Sequence, residues 1–188
     1  MSPFGDDRYT PDVSIDSPRA ATAAAETIAA QLLKRNHVTT LPVLVDTLVE
    51  AESLVLLRIE DGKGPDGELR AKARVIVVNT SHRSTTRIRF TTAHELGHWC
   101  LGHHKQAAGD ALLNALVDQR LRDDLDPLRS GQELAEIEAN AFASALLMPA
   151  DLVREVHREK TFDAHVAARR FEVSPEAFFY RLQRLRLL

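Results

Sequence analysis

The chain has 188 residues, 44% of them apolar and 27% charged, a balance that suits a globular fold with a sizeable core. Its net charge of −3 does not mark it as a nucleic-acid binder, and its single cysteine, Cys100, excludes an internal disulfide. No apolar run approaches the roughly 20 residues of a membrane span, and the polar start MSPFGDDRYTPDVSIDSP does not read as a secretory signal, so a cytoplasmic protein is expected.

Residues 1–16 read as a flexible N-terminal arm without periodicity. Ser17 and Pro18 make a good helix start, and the alanine-rich helix that follows ends near Asn36. A short helix is predicted over Val43–Ala51. Ser53–Glu60 and Ala71–Asn79 read as strands joined by the turn-forming stretch EDGKGPDGE. Arg87–Phe90 reads as a further short strand, with a helix opening at Thr91 or Thr92. In Lys105–Gln132, Leu112, Leu113, Leu116, Val117, Leu121 and Leu125 recur at near-helical spacing. That stretch reads as an extra packed helix, with a lid over a cleft as the alternative. Glu133–Pro149 is rich in Ala and Leu and reads as a buried helix closed by Pro149. Asp163–Leu187 reads as a helix-turn-helix: Ala167 and Phe171 end one core face, Ser174-Pro175 starts the next helix, and Phe178, Phe179 and Leu182 pack inward. Helices, then strands, then helices argue an α+β fold.

The chemistry is concentrated in FTTAHELGHWCLGHH. Residues four apart on a helix share a face, so His94 and His98 can offer two imidazole nitrogens to one Zn²⁺. Glu95 lies about 100° round the helix, outside the ligand set but close enough to take a proton from water at the metal. A catalytic zinc commonly has three protein ligands, and two residues compete for the third place. Glu136 shares a helical face with Asn140, and a buried carboxylate there would need a charge partner or a metal. Asn140 would then hold a ligand histidine from behind. Glu138, two residues on, would face solvent. The alternative ligand is His104, six residues after His98, but the glycine that such a spacing needs at position 101 is Leu, with Gly102 displaced by one. Glu136 is the stronger candidate. Cys100, on another face of the helix, reads as core.

RFTTAHELGHWCLGH followed by EIEANAFASALLMP resembles the ImmA/IrrE family of metallopeptidases. The resemblance extends to RVIVVN upstream and VAARRFEVSPEAFFYRLQRL downstream, roughly residues 20–186. It implies a zincin-like domain, here residues 17–160, with a small mixed or antiparallel sheet and a helix-turn-helix-like segment, 161–188, packed on it. It also implies zinc held by His94, His98 and Glu136, with Glu95 as catalytic base. Members of the family typically cleave helix-turn-helix repressors of the Xre type, so the expected partner is such a repressor. By resemblance to zincins, the strand Arg74–Asn79, ending at Asn79, could take a substrate backbone as an added strand. His157, His165 and Tyr180 are possible oxyanion donors, though no spacing selects among them.

Two functions remain open at this level. One is a zinc endopeptidase that relieves repression of stress or mobile-element genes. The other is a non-proteolytic DNA- or partner-binding regulator with a sensing or vestigial zinc site. Residues 161–188 hold five arginines against three acids, a modest basic tilt, so direct DNA binding is not expected. Glu95 favours the peptidase, since a purely structural site needs no base.

Overall fold

The computed structural model describes residues 18–105 and 127–188. The expected arm at 1–16 and all six apolar positions from Leu112 to Leu125 lie outside them. Helix α1 spans Pro18–Arg35. Its Ala21, Ala25, Ala29 and Leu32 are fully buried, and their spacing sets one face of small side chains along the helix. That face lets α1 lie closely along α4, Pro127–Leu147. Helix α2, Val45–Ala51, follows with Val45, Leu48 and Val49 turned inward.

The sheet has three strands, β1 (Val55–Ile59), β2 (Gly67–Arg70) and β3 (Val75–Asn79), in the order β1-β3-β2. β3 pairs parallel with β1 and antiparallel with β2. Strand β2 occupies part of what the sequence reads as turn and loop. Its residues, GELR, carry no apolar alternation, and pairing with β3 draws them into the sheet. Ala71–Ala73 form a 3-10 turn rather than the start of a strand. Arg74 then reverses the chain in the left-handed region, φ 55°, steadied as its guanidinium donates to the carbonyls of Ser53 (2.9 Å) and Glu52 (2.7 Å).

Helix α3 spans Thr85–Cys100, so the expected strand at Arg87–Phe90 is the helix's first turns. The Ser84 hydroxyl caps the helix by accepting from the Arg87 N–H at 3.2 Å. The Arg-Ile-Arg-Phe alternation mimics a strand, but Arg89 reaches back to the Val43 carbonyl while Ile88 and Phe90 pack on the core. After α4 come α5 (Ala150–His157), α6 (Ala164–Phe171) and α7 (Pro175–Arg184). Asp163 and Ser174 cap the last two through their side chains.

One core joins all of these. Ile76 and Val78 of β3, Ala93 and Leu96 of α3, and Phe142 and Leu146 of α4 meet Phe171, Phe178 and Leu182 from the C-terminal helices. Phe179 does not join them: it is 48% exposed and lies against Tyr180. Its place on α7 is one residue, about 100°, round from Phe178, which takes the inward position. Arg181 is buried instead, donating to the Met148 carbonyl at 3.0 Å and lying 3.2 Å from Glu26 of α1. Among the described residues, no helix is long and apolar enough to cross a membrane.

Candidate metal centre

The site lies where α3 crosses α4, and a glycine sets how close they come. A Cβ on Gly97 would lie 3.0 Å from a ring carbon of Phe142 and 3.3 Å from the Ala139 carbonyl. Glycine between the two histidines therefore lets α4 approach the α3 backbone. That approach brings Glu136 over the helical face carrying His94 and His98.

Three donors converge there. The Nε2 atoms of His94 and His98 are 3.0 Å apart, and the Glu136 carboxylate oxygens lie 3.2 and 3.3 Å from them. His94, His98 and Glu136 form the one group among the described residues whose donor atoms close up in this way. Burial pushes both imidazoles down, His98 to about 3. They are neutral at pH 7, so their contacts with Glu136 are not ion pairs. His94 Nδ1 faces the Asn140 side-chain oxygen at 3.1 Å and so donates its proton there, leaving Nε2 bare. Bare ring nitrogens and a carboxylate aimed at one point suit a divalent cation, zinc among them. Glu136 itself is 60% exposed, so the expectation of a buried carboxylate is corrected: the open side of the group faces solvent.

Glu95 stands apart from these donors. It is 9% exposed and turns towards β2, where the backbone N–H of Leu69 donates to its carboxyl. Burial, reinforced by the negative charge of Glu136, raises it to about 7. A Cβ on Gly67 would fall 2.9 Å from Glu95 Oε1, so glycine in β2 makes room for this side chain.

The remaining sequence-derived candidates fall elsewhere. His104 stacks on Trp99, ring centroids 4.7 Å apart, and is no part of the donor group. Gly102, at φ 77°, ends α3 before position 104 could turn back towards the metal-facing side. Asn79 is buried at the end of the central strand, where its side chain accepts from the N–H groups of Asp61 and Ser81. β3 is paired on both sides and has no edge for an added strand, which corrects the substrate-strand reading. Among the described residues, the strand edge left unpaired beside Glu95 belongs to β2. Because the Asn79 N–H bonds to the Asp66 carbonyl, alternation of the ladder turns the backbone groups of Gly67 and Leu69 outward. His157 packs on Phe162 and Tyr180 on Phe179. Cys100 is buried, and burial pushes its thiol up, consistent with a packing role.

Two neighbours of the site had no role in the sequence reading. His103 Nδ1 lies 2.9 Å from His98 Nδ1, and His103 Nε2 lies 2.9 Å from Glu138 Oε2. Glu138, expected in solvent, is only 14% exposed, because the turn after α3 brings His103 against it. The available signal was Gly102, which marks a helix end and folds the next residue back onto the last turn.

Residues 50–183 match the family described as the IrrE N-terminal-like domain, the M78 peptidases. No curated protein matches the chain. Among solved structures, a Mycobacterium tuberculosis transcriptional regulator is similar in fold, with a TM-score of 0.55 and 17% identity. The match covers 85% of this chain and 46% of that one, so this chain spans less than half the length of that protein. With both motif helices and the whole sheet inside the matched region, the chain belongs to the M78 peptidase family, with an α+β, zincin-like domain.

Proposed function

We propose that this protein is a zinc-dependent endopeptidase that hydrolyses a peptide bond in a protein substrate, a helix-turn-helix repressor of the Xre type. The observation that carries the reading is the division of labour on α3. His94 and His98 face Glu136, while Glu95, between them in sequence, is withdrawn to β2 with its carboxyl raised to about 7. A group with that affinity for protons is matched to acid–base work near neutral pH.

A zinc ion held by His94, His98 and Glu136 supplies Lewis-acid polarisation of a carbonyl and acidification of water. The chain's own residues do the rest. Asn140 fixes the ring of His94. The outward edge of β2, at Gly67 and the Leu69 carbonyl, receives an extended substrate backbone, while the Leu69 N–H stays with Glu95. Glu95 accepts the proton of the attacking water and delivers it to the departing amine, so the proton count closes within one turnover. The repressor as substrate rests on the family resemblance, and the cytoplasm is where such a substrate resides.

The test is direct. Purified protein should bind one zinc and cut a candidate repressor at a defined bond, with cleavage lost on chelation and restored by zinc. Zinc binding without cleavage of any neighbouring-gene repressor, across a panel of such proteins, would favour a binding regulator instead.

A further inference from the structure

A buried polar chain leaves the metal group on its protein side. Of the two ring nitrogens of His98, Nε2 faces His94 and Glu136, and Nδ1 faces His103 at 2.9 Å. The other nitrogen of His103 faces the Glu138 carboxylate at 2.9 Å. His103 is 8% exposed and Glu138 14%, so neither contact is a loose surface pairing. His98 lies on α3, His103 on the helical residues 103–105 that follow the turn at Leu101 and Gly102, and Glu138 on α4.

Proton placement along this chain has one solution compatible with a metal. A ring nitrogen that binds a metal carries no proton, so His98 must hold its proton on Nδ1 and donate it to His103 Nδ1. His103 Nδ1 is then an acceptor, which puts the His103 proton on Nε2, facing Glu138. The carboxylate accepts it. If Glu138 were removed, His103 could place its proton on Nδ1, where it would oppose the Nδ1–H of His98. The two ligand histidines are thus supported differently: His94 by a neutral amide on Asn140, His98 by a carboxylate acting through a second imidazole.

We propose that His103 and Glu138 are positioning residues for the metal, which lock His98 in its Nδ1–H form and hold its ring so that Nε2 faces the metal. The proposal rests on the zinc reading above. Partners behind ligand histidines commonly contribute about 10- to 100-fold in metal affinity. The same contacts also pin the end of α3 to α4, and a purely mechanical clamp is the competing explanation.

The experiment uses the full chain with zinc and cobalt as probes. Zinc affinity is measured by competition with a chromogenic chelator, and the visible bands of the cobalt-loaded protein report ligand geometry. His103→Ala and Glu138→Ala should each bind zinc about 10- to 100-fold more weakly than wild type and alter the cobalt bands. Glu138→Gln retains an oxygen acceptor, so it should bind zinc more tightly than Glu138→Ala and keep the wild-type cobalt spectrum. Melting of the metal-free proteins reads the clamp separately. Wild-type zinc affinity and wild-type cobalt bands in both alanine variants, whatever their melting temperatures, would overturn the proposal. Should His103→Ala not fold, Glu138→Ala and Glu138→Gln decide it by the same readouts. If wild type binds no zinc, the metal reading itself fails; if wild type binds and only the variants fail to differ, this inference alone does.

Discussion

Gly67 and Glu95 meet where β2 passes over α3: a Cβ on Gly67 would stand 2.9 Å from Glu95 Oε1 and collide with the Thr91 methyl group. Glu95, the proposed base, is therefore housed by a missing side chain on the strand proposed to take the substrate. Gly67→Ala should displace Glu95 or β2 without touching the donor group. Because a misplacement of about 1 Å can cost on the order of 100-fold, cleavage should fall by about 10- to 100-fold with zinc content unchanged. Kinetics at matched zinc occupancy check this. Unchanged cleavage would mean that Glu95 has slack against β2 and is not held by it.

Glu95→Gln separates binding from chemistry. Gln is nearly the same size and stays outside the donor group, so zinc and fold should persist. It cannot accept a proton, and cleavage should drop by about 10² to 10⁴. Mass spectrometry of repressor fragments measures it; equal rates would remove Glu95 as the base.

The same residue predicts how stability of the metal-free protein varies with pH. Its carboxyl titrates at about 7 in the fold, against an ordinary 4.5, because burial disfavours its charge. Between those values the folded chain holds a proton that the unfolded chain has released. Unfolding free energy should therefore fall as pH rises across that window and level off above it. The loss at pH 8, relative to Glu95→Gln, should be up to about 3 kcal/mol. Urea unfolding of both proteins at several pH values tests the sign. Parallel pH curves for the two would show that Glu95 is not raised.

For the ligands, Glu136→Gln and His94→Ala should each strip most of the zinc, while His104→Ala should not. The basis is the 3.0–3.3 Å spacing of the three donors and the stacking of His104 on Trp99. Elemental analysis after dialysis decides. Full zinc in Glu136→Gln and none in His104→Ala would reverse the assignment.

At the C-terminus, Arg181 and Arg184 both reach Glu26, and Arg170 pairs with Glu159. With Arg181 only 2% exposed, its truncation leaves the partly buried Glu26 short of a partner and opens a cavity. Arg181→Ala should lower stability by about 2–5 kcal/mol, read by urea unfolding. No specific duplex binding should appear in wild type at physiological salt, since these arginines are spent within the fold. Tight operator binding there would contradict that.

What the sequence by itself determined is local in origin. Four-residue spacing puts His94 and His98 on one helical face whatever the rest of the chain does, and capping residues such as Ser174 mark helix starts through short-range hydrogen bonds. The motif pair was likewise enough to indicate the family. Contacts between distant segments decided the rest. β2 became legible only through its pairing with β3, because GELR has no pattern of its own. The central place of β3, which denies Asn79 a substrate edge, is a matter of strand order and not of strand composition. Glu136 and Glu138 differ by two positions on one helix, and which of them meets solvent depends on what crosses that helix. Here α3 brings His94 and His98 to Glu136, and the turn at Gly102 brings His103 to Glu138. Helical periodicity assigns faces, but only the packing of α3 on α4, close enough because Gly97 has no side chain, assigns the neighbour each face will have.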